Sequence, residues 1–104
     1  MNTNTNYNEP IATVANILAA SGIPFSYNRI FEGGQIRFPW CKGDVACHSG
    51  TYGSGYGAVE TFEFPWDDGD VSCLMPASAA WRIIRYYQDG ETVGATPFHP
   101  YSEE

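Results

Sequence analysis

Two stretches decide how this chain is read, FPWCKGDVAC at 38–47 and FPWDDGDVSC at 64–73. They start 26 residues apart and share seven of ten positions. Each reads as strand, turn, strand. An aromatic pair enters, two further residues and Gly-Asp reverse the chain, and Val with Cys begins the return. Pro39 and Pro65 have no N–H to give to a ladder, so each incoming strand should bulge or lie at an edge there. The repeat predicts two antiparallel hairpins built on the same turn chemistry; the alternative is a duplicated ligand-binding loop.

Working outward, Pro10 suits the first turn of a helix, Asn8 can cap it, and Ile11, Val14, Ile17 and Leu18 form one stripe that Gly22 ends. This predicts a helix over about 9–21. From Ile23 the period changes to two, with Ile23, Phe25, Tyr27 and Phe31 on an apolar face and Arg29 as the exception. Gly33-Gly34 reads as a hairpin turn, and Ile36, Phe38 and Trp40 as a second strand. Between the two copies, GTYGSGYG at 50–57 reads as a loop that carries Tyr52 and Tyr56. Ala58–Phe64 follows as another strand. Pro76 opens a last helix with Ala80, Trp81, Ile84 and Tyr87 at helical spacing and Gly90 as its stop. The order predicts an α+β fold, a three- to five-stranded antiparallel sheet with an N-terminal and a C-terminal helix packed on one face.

The 104 residues suffice for one core and not two, since a chain of this size buries roughly two-thirds of its unfolded surface. The expected organisation is a tail at 1–7, a single domain at 8–89 and a second tail at 90–104. Twelve acids against five bases leave a formal charge of -7. With so few cations, direct nucleic-acid binding is not expected, because phosphate affinity comes mainly from Lys and Arg. The same field attracts a basic protein surface. Three cysteines without scaffold spacing fit a reducing compartment, and the start has neither a basic region nor an apolar run near the roughly 20 residues of a membrane span. A cytoplasmic protein without a membrane partner is expected.

No stretch supports catalysis or a cofactor. GTYGSGYG lacks the Lys-Ser/Thr ending of a phosphate loop. Cys47-His48 is an adjacent nucleophile and base, but strand neighbours point to opposite faces and Cys47 should look inward. Cys41, Cys47, His48 and Cys73 could form a zinc set, though without a C-x-x-C pair, and buried small hydrophobes are the commoner fate of such cysteines. Asp67, Asp68 and Asp70 crowd one turn, Asp44 holds the equivalent of Asp70 in the first copy, and Glu60 and Glu63 lie on the strand leading in. Together with Tyr52, Tyr56 and Trp66 they form the candidate partner-binding surface, aromatic rings beside charge being what interfaces favour. Trp40 and Trp66 could equally serve as core pegs.

The run from Asp44 to Ile84 resembles short, mostly uncharacterised proteins of prophages and mobile elements in intestinal bacteria. His48-Ser49, Tyr52-Gly53, Gly57, Glu60 and Asp68–Val71 carry the resemblance, over about two-fifths of the chain. Where such proteins carry Glu near the start of the final helix, this chain has Ala77, Ser78 and Ala79. A small acidic protein in that setting is similar to the anti-defence inhibitors, anti-CRISPR proteins among them, many of which present carboxylates where phosphates would lie. The resemblance implies a non-enzymatic phage-encoded inhibitor, in the cytoplasm of the bacterial host. It would bind a basic nucleic-acid-binding surface of a host protein or ribonucleoprotein effector and block it sterically, with nucleic-acid mimicry as one way of doing so. A homodimerising structural or adaptor protein of a mobile element is the alternative, and a small zinc-binding domain the third.

Overall fold

The computed structural model describes residues 8–30, 32–49, 51 and 56–89. The expected tails at 1–7 and 90–104 lie outside them, as do Phe31 and Tyr52. Helix α1 spans Asn8–Ala20, five strands follow as β1 Ser26–Ile30, β2 Gly33–Arg37, β3 Asp44–Cys47, β4 Val59–Phe62 and β5 Val71–Leu74, and helix α2 spans Pro76–Asp89. The strands form one antiparallel sheet in the order β1-β2-β3-β4-β5. This is the expected α+β architecture.

Helix α1 ends as its sequence dictates. Gly22 takes a φ of 74°, Gly22 N–H bonds Ala19 O and Ile23 N–H bonds Leu18 O, the paired bonds of a Schellman stop. Ile23 and Leu18, which that turn brings together, are both buried. Ile36, Val45, Cys47, Val59 and Thr61 occupy alternate positions on β2, β3 and β4 and are fully buried beneath the helices. Helix α1 packs on β2 and β3, α2 on β4, and the two helices on each other. Ile11, Val14, Leu18, Ala79, Ala80, Ile83 and Ile84 supply the helical half of the core.

Three expectations change. Gly33 and Gly34 do not turn the chain; both belong to β2 and pair with Ile30 and Arg29. Gly34 is needed for close approach, because a Cβ there would lie 2.6 Å from the Tyr27 ring. The Tyr27 hydroxyl reaches on to Asn8 Oδ1 at 3.1 Å and ties the start of α1 to the edge strand. Tyr27 and Arg29 keep the face that period two assigned them but are exposed, lining an open groove between β1 and α1. In α2 the inward face is Ala79, Ala80, Ile83 and Ile84, which leaves Trp81 57% exposed and Tyr87 at the rim.

The two FPW copies lie side by side at one end of the sheet, the first joining β2 to β3 and the second β4 to β5. Their aromatic residues interlock. Phe38 meets Phe64 at 5.8 Å between ring centroids, Phe64 stacks on Trp66 at 4.6 Å and 4°, and Trp40 packs against Phe38, Tyr86 and Tyr87. The Phe64 ring also lies on Gly43, where any Cβ would run into it. The repeat builds the core, which favours two hairpins of shared turn chemistry over a duplicated binding loop.

Identical residues nevertheless face opposite ways in the two copies. In the first, Arg37 pairs with Asp44, so Val45 and Cys47 point into the core. In the second, Phe62 pairs with Val71 in the same register as Ile36 with Val45, but β4 meets β3 with Phe62 opposite Asp44 and Thr61 opposite Val45, so the whole second hairpin is turned over relative to the first. Val71 and Cys73 therefore stand exposed on the face away from the helices, and the expectation of a buried Cys73 is corrected.

Candidate functional site

The face of the sheet away from the helices carries two cross-strand rows. Next to the repeat turns run Ser26, Arg37, Asp44, Phe62 and Val71; the second row is Asn28, Gln35, Ala46, Glu60 and Cys73. Of the expected partner-binding residues, this face brings together Asp44 and Glu60, both half-buried. Asp44 is held by Gln35 Nε2 at 3.2 Å and lies opposite Arg37. Desolvation raises the Asp44 carboxyl above its ordinary value; Arg37 and the Gln35 bond oppose that, and Glu60 and Asp67 add to it.

A raised carboxyl makes the protonated form the better one for folding. Its stabilising contribution is complete below the unfolded carboxylate pKa and is lost as pH rises through the folded value. Asp44→Asn keeps an acceptor for Gln35 and removes the buried charge. The variant is therefore expected to melt at or above the parent temperature at pH 7, and to lose that advantage below pH 4, measured by thermal denaturation across pH. A variant less stable than the parent at pH 7 would show that the Arg37 pairing outweighs desolvation.

The β4–β5 turn is where carboxylates are displayed. Glu63, Asp68 and Asp70 are exposed there. Glu63 and Asp68 hold left-handed backbone, at φ 69° and 52°, followed by Gly69 at 83°. Asp70 spends one oxygen on the N–H of Val71 at 2.8 Å. Asp67, by contrast, is turned inward and buried. Its Oδ1 accepts the Thr61 hydroxyl at 2.8 Å, its Oδ2 accepts the Phe64 N–H at 3.1 Å, and the Thr61 oxygen in turn accepts the Trp66 indole N–H at 3.0 Å. This closes a 3-10 turn over Pro65–Asp67. Trp66 and Asp67 are thus occupied inside the fold. Tyr56 is 86% exposed, and Tyr52 lies outside the described residues.

Sequence reasoning placed Asp67 with its neighbours because the three acids are close together. The signal that separates it is the start of a helical turn, with Pro65 in the first position and an acid two residues on to take the free N–H. Trp40 resembles Trp66 in role, its indole N–H donating to Pro24 O at 2.9 Å.

Cys47 is fully buried, its thiol reaches Ala58 O at 3.5 Å, and burial pushes it up to about 11. At neutral pH it is a thiol and not a nucleophile. His48 lies in a turn whose backbone bonds the Thr51 hydroxyl in both directions, N–H to Oγ1 at 3.1 Å and Oγ1 to carbonyl at 2.8 Å. Among the described residues, no three His, Cys, Asp or Glu side chains converge where they could hold a metal ion, so Cys41, Cys47, His48 and Cys73 do not form one site. Among them too, no helix is long and apolar enough to cross a membrane.

Compared with known proteins, the chain matches no family model, no curated protein and no solved structure.

Proposed function

We propose that this chain is a non-catalytic inhibitor of the anti-defence kind, which docks its acidic sheet end on a basic nucleic-acid-binding surface of a host effector and excludes nucleic acid from it. The observation that carries this reading is the pair Glu63 and Asp68. Both are exposed, both occupy backbone that a glycine would adopt at lower free energy, and neither has a hydrogen-bond or ion-pair partner among the described residues. Their charges do nothing visible for the fold. With Asp70 beside them and Glu60 and Asp44 on the adjoining face, they offer carboxylates in place of phosphates, and the net charge of -7 speeds encounter with a cationic partner.

The test is binding to purified basic effector complexes, nucleases among them, across a salt series. The variant carrying Glu63→Gln, Asp68→Asn and Asp70→Asn should bind roughly tenfold more weakly at low salt, with the gap narrowing as salt screens the exposed charges. Equal binding by parent and variant, or binding indifferent to salt, rejects the reading. A second reading, a homodimer through the sheet edge, is favoured by Val71 and Cys73, which expose apolar surface on the outermost strand. Sedimentation at two concentrations separates the two.

A further inference from the structure

Aligning the two FPW copies shows that they share an aromatic scaffold and reverse its charge. Arg37, Cys41 and Lys42 of the first stand where Glu63, Asp67 and Asp68 stand in the second. In the second copy the turn is filled from within, since the buried Asp67 carboxylate takes the Phe64 N–H and the Thr61 hydroxyl. The first copy has no such anion. Cys41, half-buried, occupies the equivalent position, its thiol pushed up by burial and met by the Gly43 N–H, and no 3-10 turn forms there.

What the first copy has instead is a recess of about 240 Å³ lined by Arg37, Phe38, Cys41, Lys42 and Gly43. That volume corresponds to about eight waters at ~30 Å³ each, enough for a phosphoryl group with a small substituent. Two of the five cations of a chain carrying -7 therefore meet in one small concavity. Lys42 has no hydrogen-bond or ion-pair partner among the described residues. Arg37 lies opposite Asp44 across the strand pair, where its charge favours that carboxylate, but its side chain makes no hydrogen bond or ion pair among the described residues, which leaves its guanidinium donors for a ligand. Gly43 closes the floor of the recess, its backbone N–H directed to the Cys41 thiol and its Cα beneath the Phe64 ring.

We propose that the recess between Arg37, Lys42 and Gly43 binds a tetrahedral oxyanion, inorganic phosphate or the phosphoryl group of a small monoester. The ligand supplies from outside the negative charge that Asp67 supplies from inside in the other copy. Arg37 offers forked N–H donors and Lys42 a point charge. This site is separate from the acidic turn and does not depend on how that turn docks.

Titration of the full chain with inorganic phosphate and, in a second arm, glycerol 2-phosphate tests it, followed by amide chemical shifts at constant ionic strength. Saturable shifts centred on Lys42 and Gly43 are expected. Arg37→Gln with Lys42→Gln should weaken binding by about tenfold or more, the loss of one to two charge-assisted bonds. Cys41→Asp should abolish it, the new carboxylate filling the recess from within, while the rest of the amide spectrum keeps its folded dispersion. Arg85→Gln, on the exposed side of α2, should leave it unchanged. Shifts reproduced by chloride, shifts that never saturate, or binding undiminished in both recess variants would overturn the assignment. Saturation by the monoester alone would assign the site to esters, and saturation by both to the shared phosphoryl group.

Discussion

Phe64→Ala is expected to lower the stability of the fold by about 3–5 kcal/mol, the upper range for truncating a buried aromatic residue. The ring is 3% exposed and meets four neighbours at once: it stacks on Trp66, edges onto Phe38 and Tyr86, and lies on Gly43. Aromatic pairs of this geometry contribute beyond the area they bury. None of the neighbours can close the gap, because Gly43 has no side chain and the Trp66 indole is fixed by its bond to Thr61. In a small domain whose whole stability is of the order of 5–15 kcal/mol, such a loss leaves little margin. Chemical denaturation of parent and variant measures it. A difference below about 1 kcal/mol would mean that the two copies do not depend on each other for their packing.

Asp67→Ala is expected to destabilise by about 2–4 kcal/mol, more than any other acid on this chain. The substitution leaves the Thr61 hydroxyl and the Phe64 N–H buried without an acceptor, and unmade charge-assisted bonds carry the larger penalties. Asp67→Asn should fall between variant and parent, since it keeps one acceptor and turns an NH₂ towards a donor. Asp68→Asn and Asp70→Asn, a few residues away on the surface, should lie within about 0.5 kcal/mol of the parent. Denaturant midpoints for the parent and the four variants check the ranking. Asp67→Ala as mild as Asp68→Asn would mean that the 3-10 turn closes without its carboxylate.

These contrasts mark how far the sequence could be read. The α+β order, both helices and the hairpin nature of each FPW copy were legible, because Pro10, Gly22 and Pro76 punctuate strongly and the hydrophobic period changes from 3.6 to 2 near Ile23. The acidic turn was legible as a cluster and misread in its parts. Proximity in sequence does not show that Asp67 looks inward while Asp68 looks out; backbone torsion decides that, and Asp68 sits at φ 52°. The same limit explains Val71 and Cys73. Their counterparts Val45 and Cys47 suggested burial, but the face is set by the partner strand: β4 meets β3 with Thr61 opposite Val45 and Phe62 opposite Asp44, which turns the second hairpin over although its own register matches the first. Gly33-Gly34 failed for another reason. A glycine pair fits both a turn and a close approach, and the Tyr27 ring that selects between them lies across the strand pair.

The strand order β1-β2-β3-β4-β5 also bears on how quickly the protein finds its fold. Each strand pairs with its neighbour along the chain, so the sheet can assemble by zipping from one reversal to the next, and each closure spans few residues. The contact of α1 with α2 is different in kind, because it joins residues from opposite ends of the described chain. That docking closes the longest stretch of chain and so carries the largest single loop-closure cost, although the cost grows only slowly with length. The hairpins can therefore form early and locally, and the helical layer that covers them locks last.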